Sequence, residues 1–301
     1  MEVIQAKIAT TKSLYLPLDE AILMPIGDIH YGGGGDNDPC DVDRLKRRLD
    51  WGMNRGAYFL GMGDYIDVAS PSNRNALVKA GFYDSMQQLI EDAGSRLLDR
   101  LLDVLKGTEG RWLGLLEGHH YFDFEDGTTS DVRLCQALKA PFLGDCAFVQ
   151  LVFRYPESKT ASHHDRQRAH ATIWCHHGMG GGRLAGAPLN VLEHIIKVFD
   201  ADIYLMGHQH KKVAAPLDRI YINWHERSPV LHHRRIILAC TGGFLKGYMQ
   251  GSKNRGRAQG TYVEQRMLSP TALGGLTIYI RPRRDTTGSK DRYHLDLGVE
   301  Q

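Results

Sequence analysis

Apolar residues along this chain fall into short runs that repeatedly stop at a glycine beside an ionisable residue. Residues 21–26 run into Gly27-Asp28-Ile29-His30, and residues 57–60 into Gly61-Met62-Gly63-Asp64-Tyr65-Ile66-Asp67. Residues 112–116 end at Glu117-Gly118-His119-His120, residues 171–175 at His176-His177-Gly178, and residues 203–206 at Gly207-His208-Gln209-His210. Short continuous apolar runs bounded by turn residues predict strands buried on both faces. Helical spacing fills the intervals. It predicts a helix over 41–53, started near Asp41 or Asp43, with Leu45, Leu49 and Met53 on one face. The clearest helix is 84–106, where Leu89, Ile90, Ala93, Leu97, Leu98, Leu101, Leu102 and Leu105 recur at helical spacing and Gly107 ends it. Further helices are expected at 130–139 and 188–199, the second with Pro188 in its first turn. An edge strand within 1–20 and a strand at 147–154 complete a β-α-β-α-β-α-β-α-β order, parallel where crossovers intervene.

Beyond residue 212 the texture changes to short β-type runs at 219–224, 230–240, 243–249, 261–264 and 275–281. These are expected to be antiparallel strands that complete a second sheet or form a small cap. Residues 1–301 are therefore read as a single domain with a motif core over 21–212. Residues 68–83 and about 155–168 read as loops, as do the glycine-rich stretches Gly32-Gly33-Gly34-Gly35 and Gly178-Met179-Gly180-Gly181-Gly182.

Composition narrows the function classes. A chain of 301 residues, 42% hydrophobic and 24% charged, has the make-up of an ordinary globular protein. Its formal net charge of +2 predicts no partner from bulk charge alone. The C-terminal part is locally basic, with Lys246, Lys253, Arg255, Arg257, Arg266, Arg281, Arg283, Arg284, Lys290 and Arg292. A solvated face and a footprint for DNA or RNA both fit that cluster. Five cysteines without a Cys-x-x-Cys pair read as reduced thiols. No apolar run approaches the roughly 18 residues of a membrane helix, and the N-terminus lacks the layout of a signal peptide. A cytoplasmic protein with no membrane partner is expected.

The strand-end residues carry the chemistry. Asp28, His30, Asp64, His119, His177, His208 and His210 offer two carboxylates and five imidazoles, and α/β sheets collect ligands outside the carboxyl ends of their strands. One four-coordinate ion cannot use seven ligands. Two ions sharing a carboxylate can, and Asp64 is the natural bridge, because a carboxylate binds two ions where a neutral imidazole does not. Ions about 3.5–4 Å apart form a clamp for in-line displacement at phosphorus and acidify a bridging water to hydroxide.

The motifs Gly27-Asp28-x-His30, Gly63-Asp64-x-x-Asp67, Gly118-His119-His120, His177-Gly178 and Gly207-His208-x-His210 follow one another over residues 27–210. In this order they resemble the calcineurin-like metallophosphoesterases. The resemblance implies an α/β fold, a four-layer αββα sandwich of two mixed β-sheets with the metal site at the carboxyl ends of the strands. It also implies that Asp28, His30, Asp64 and His210 hold one ion, and Asp64, His119, His177 and His208 the other. His120 matches the histidine that contacts the phosphate and protonates the leaving oxygen, and Asp67 the acid that orients it. Two departures stand out. The family's Gly-Asn-His is here Gly118-His119-His120, which leaves open a His119 turned away from the ions. The Asp-Arg-Gly of protein serine/threonine phosphatases is absent, since Asp67 leads into Val68-Ala69-Ser70. His176 also competes with His177 for the ligand position, and Arg183 is a candidate substrate-binding residue. The expected function is a phosphodiesterase acting on nucleic acid, with two divalent ions, manganese first and iron, zinc or nickel as alternatives. A phosphomonoesterase or nucleotide hydrolase is the alternative within that chemistry. A metal-stabilised binding or scaffold protein is the alternative outside it.

Overall fold

The computed structural model describes residues 8–34, 38–68, 83–155, 167–223, 229–251, 253–254, 257–258, 260–285 and 292–301. Residues 69–82 of the expected 68–83 loop, most of the expected 155–168 loop, Gly35, Arg255 and Lys290 lie outside the described residues. Two mixed sheets form the framework. The first contains the parallel strands β2 (Ala21–Ile26), β3 (Tyr58–Gly61), β4 (Trp112–Leu116) and β5 (Phe142–Gly144). β14 (Thr277–Asp285) joins β2 antiparallel, and β15 (Arg292–Glu300) joins β14, giving the order β15-β14-β2-β3-β4-β5. The second sheet contains β1 (Ile8–Tyr15), β6 (Cys146–Arg154), β7 (Gln167–His176), β8 (Ile203–Met206), β10 (Val230–Gly243) and β13 (Gly274–Gly275), in that spatial order. β9 (Lys212–Asn223) forms a long hairpin with β10. β11 (Lys253–Asn254) and β12 (Arg257–Ala258) make a separate two-stranded ladder.

Adjacent residues within the apolar runs face opposite sides of their sheet, and both sides are covered. Leu23, Leu60 and Leu113 of the first sheet meet Val149, Ile173 and Ile203 of the second in one buried cluster. The neighbours Met24, Phe59 and Trp112 point the other way, under three helices. These are α1 (Val42–Asn54), α2 (Asp84–Leu105) and α3 (Ser130–Ala137), which contribute Leu45, Leu49, Leu98, Leu101 and Leu134. On the outer face of the second sheet, Trp174, Tyr204 and Leu238 pack with Leu192 of α4 (Ala187–Ile195). The result is the four-layer αββα sandwich. It explains why the strands read as continuous apolar runs rather than alternating ones. Each fully buried Leu or Phe in these layers contributes about 1.5–3 kcal/mol from transfer out of water.

The C-terminal strands divide between the sheets: β9 and β10 enter the second, β14 and β15 the first. Residues 261–264 do not form a strand; a one-turn helix α5 (Tyr262–Gln265) stands there. The Thr261 side chain accepts from Glu264 N–H while the Glu264 carboxylate accepts from Thr261 N–H, a reciprocal cap that outweighs weak β propensity. β15 is also an addition, although Tyr293, Leu295, Leu297 and Val299 alternate as a half-buried strand requires. No helix among the described residues is long and apolar enough to cross a membrane.

Candidate metal centre

β2, β3 and β4 end at one edge of the first sheet, and β7 and β8 end at the facing edge of the second. Their five turns bring the sequence-predicted residues together. Asp28, His30 and His210 place one ligand atom each within 4.8 Å of one another, and so do His119, His177 and His208. Asp64 joins both groups: it clusters with Asp28 and His177, and with His30 and His120. Each of these groups can hold a metal ion.

The backbone is bent to achieve this. Asp28, His30, Asp64, His208 and His210 all have positive φ, between 47° and 63°. Among the described residues only Lys139, Tyr248 and Met267 share that state without being glycine. Left-handed backbone costs a non-glycine residue on the order of 1–3 kcal/mol, and such strain collects at functional sites. Two glycines make the approach possible. A Cβ on Gly63, at φ 91°, would sit 2.5 Å from His177 Nδ1, and one on Gly118 would overlap the Asp64 carboxylate and amide.

Hydrogen bonds then aim the ligand atoms. Asp64 Oδ1 accepts from the backbone N–H groups of His119 (2.6 Å) and His120 (2.8 Å). Its Oδ2 is left facing His177 Nε2 at 3.3 Å and His30 Nε2 at 3.7 Å. Asp28 Oδ2 accepts from His208 N–H, while its Oδ1 faces His210 Nε2 at 3.4 Å. His177 Nδ1 lies 2.7 Å from Met62 O, a carbonyl that can only accept. The Nδ1 proton is thereby fixed, and in the neutral ring Nε2 presents its lone pair to the cluster. His119 turns into the site: its ring centroid is 4.7 Å from those of both His177 and His208, and its Nδ1 is 3.1 Å from His208 Nδ1. His176 turns away. Its Nδ1 accepts from Gly178 N–H and its ring stacks on Trp174.

The electrostatics fit cations. Burial, with neighbouring imidazoles, lowers the pKa of His30, His119 and His210 and takes His208 down to about 4, which keeps these rings neutral as ligation requires. Burial raises Asp28 to about 8, whereas Asp64 lies well below the usual carboxylate range because the surrounding imidazoles outweigh its own burial. Burial acts downward on His177, but Asp64 and Asp28 outweigh it and raise this ring to about 9. Among the described residues, Asp28 Oδ1, both His30 ring nitrogens and His177 Nε2 are buried without a hydrogen-bond partner. Buried, orphaned donor atoms of this kind on oxygen and imidazole nitrogen suit divalent metals such as manganese, iron and zinc.

His120 stands beside the ligands. Its Nδ1 lies 3.2 Å from Asp67 Oδ1, and its ring meets His30 edge to face. Burial lowers its pKa, and Asp67 more than reverses this, so the ring titrates above its ordinary range. Arg183 lies on the exposed loop before α4, and among the described residues no hydrogen bond or ion pair ties it to the cluster. The basic residues of β14 lie elsewhere. Ile280 pairs with Ala21 at the start of β2, so Arg281, Arg283 and Arg284 continue away from Asp28. Arg281 pairs with Glu20 and Asp296, and Arg283 approaches Asp296.

Sequence reasoning missed Asp131. Its buried carboxylate accepts from Gly118 N–H at 3.2 Å and from Ser130 O–H at 3.0 Å, holding the turn that carries His119 and His120. Burial raises it to about 7. In sequence it is a first-turn acid of a short helix, ordinarily a solvated partner of the helix dipole.

No protein-family model matches this chain, and no curated protein matches it. Among solved structures it is similar to a conserved uncharacterized protein of Streptococcus pneumoniae TIGR4, described as a predicted phosphoesterase. The two are 12% identical, with 93% of this chain and 90% of that one covered, at a TM-score of 0.32.

Proposed function

We propose that this protein is a phosphoester hydrolase that uses two divalent metal ions and cleaves phosphodiesters of nucleic acid. The observation that carries the reading is the pair of ligand groups, Asp28/His30/His210 and His119/His177/His208, with Asp64 Oδ2 facing a member of each. When bound, such ions neutralise charge on the phosphoryl group and lower the pKa of a water. The remaining roles fall to the chain. Asp64 supplies standing negative charge that attracts cations, Asp28 and His177 would give up a proton as a cation binds, and Met62 O then holds His177 in the tautomer that offers Nε2. His120, with Nδ1 directed at Asp67, is free to present Nε2 to the leaving oxygen. Asp67 raises the affinity of that ring for a proton, as a group that must arrive protonated requires. Nucleic acid is favoured over a small monoester by cations adjacent to the ligands in the chain, one of which, Lys211, donates to Gly182 O and Leu184 O of the exposed loop beyond His177. Lys211 and Lys212 directly follow His210, and Lys246 lies two residues beyond Phe244, whose N–H bonds to Asp28 O.

The test is hydrolysis of bis(4-nitrophenyl) phosphate by protein supplied with Mn²⁺. His120→Ala should lower kcat by about 10²–10⁴-fold with metal content unchanged. Unchanged turnover in that variant removes His120 from the chemistry. A parent protein that binds metal and turns over nothing supports a scaffold instead. Binding of a short oligonucleotide should weaken steeply with salt, because each phosphate contact releases counterions.

A further inference from the structure

Beside the metal centre lies a cavity of about 270 Å³ that none of these roles uses. Gly32, Gly33 and Val68 line it on one side, and Arg96, Leu97 and Arg100 of α2 on the other. It adjoins the catalytic edge through the chain itself. Val68 follows Asp67, whose carboxylate touches His120, and Gly32 lies two residues beyond His30. Asp67 N–H donates to Tyr31 O, which joins the two segments just before they reach Gly32 and Val68.

Its lining has a definite chemistry. Arg96 and Arg100 stand one helical turn apart and so share a face of α2. Arg100 Nη1 donates to Gly33 O at 3.2 Å, which leaves the rest of its guanidinium available. Among the described residues neither arginine is ion-paired with a carboxylate. The glycine wall is held open from behind: buried Asp38 accepts from the N–H groups of Gly32, Gly34 and Cys40. Gly33 packs in ordinary contact distance of Arg100 Nη1 and Leu97, both 3.5 Å from where a Cβ would stand, and its φ of 108° is what calls for glycine there. Two planar guanidiniums with no carboxylate partner among the described residues, over an aliphatic floor, suit a phosphate flanked by an apolar or aromatic group, bound bidentately.

We propose that this cavity is a second anion subsite that takes the phosphate neighbouring the scissile one, so that the protein prefers nucleotide strands bearing a phosphate beside the bond to be cut. This rests on the hydrolase reading above, but it can fail separately. The substrates are bis(4-nitrophenyl) phosphate and a thymidine dinucleotide with and without a 5′-phosphate. The parent should favour the phosphorylated dinucleotide in KM by at least about tenfold, and Arg96→Ala should erase that preference while leaving the aryl diester unaffected. The same two dinucleotides with an uncleavable methylphosphonate linkage, titrated calorimetrically into Mn²⁺-loaded protein, read binding without turnover. Preference for the 5′-phosphate that disappears in Arg96→Ala, and in Arg96→Ala/Arg100→Lys, sustains the subsite even if no substrate is hydrolysed. Equal affinity of the parent for both dinucleotides, or equal losses in Arg96→Ala for all three substrates, overturns it even if the hydrolase reading stands.

Discussion

The two halves of the metal centre are made of different materials. The Asp28/His30/His210 half includes a fully buried carboxylate, and its three residues all carry positive φ. The His119/His177/His208 half offers imidazoles alone, His119 is exposed, and only His208 has left-handed backbone. A carboxyl oxygen donor suits a harder ion, whereas three imidazoles suit zinc, iron or nickel. Two ions held there need not be the same metal, and Asp64, whose Oδ2 faces a residue of each half, is the side chain the halves share.

The sharpest way to break the comparison is to remove what the halves share. Asp64→Asn should reduce bound metal below one ion per chain and depress diester hydrolysis by more than about 10³-fold, as measured by elemental analysis and initial rates. Two ions retained in this variant would show that the halves are independent. Altering one half at a time comes next. Asp28→Asn should cost one ion and, on the order of 10²-fold, activity. His208→Ala should cost the other ion with a smaller loss, because its ring is more accessible to substituting water. Equal losses, or loss of the same ion by the criterion of competition with Zn²⁺ and Mn²⁺, would erase the distinction.

The support under the imidazole half makes a pH-dependent contribution. Asp131 titrates at about 7 when folded against 3.8 for its ordinary value. Below about pH 4 both folded and unfolded states hold this proton, so it contributes nothing. Between about pH 4 and 7 only the folded state holds it, and stability falls as pH rises through that window. Asp131→Asn removes this fall, so its urea midpoint relative to the parent should rise between about pH 5 and pH 8; a constant difference would refute a buried, high-titrating carboxyl. The smallest effect is expected from His119→Asn. That exchange should weaken Zn²⁺ binding by about tenfold while barely changing Mn²⁺ affinity, measured by competitive titration.

Much of the centre was readable because its parts are local. Each strand-end motif lies within a few residues, and five of them with metal-binding side chains imply one edge where strands meet. The apolar runs told that the strands are covered on both faces, since Leu23 and Met24, or Ile173 and Trp174, are both apolar; the four-layer sandwich itself came only as what the motifs' resemblance implies. What escaped depends on distant partners. Nothing adjacent to Asp131 tells that Gly118 N–H will meet it, and nothing around Arg281 tells that β14 runs toward the far end of β2. α5 was different: Thr261 and Glu264 form a local signal that β-type residues masked.

The origin of the ligands has a mechanical consequence. Asp28, His30, Asp64 and His119 hang from the first sheet, and His177, His208 and His210 from the second. A cation gripped by both groups is a rivet through the sandwich, and its binding free energy becomes cohesion between two layers that otherwise meet through a mainly apolar cluster and a few hydrogen bonds.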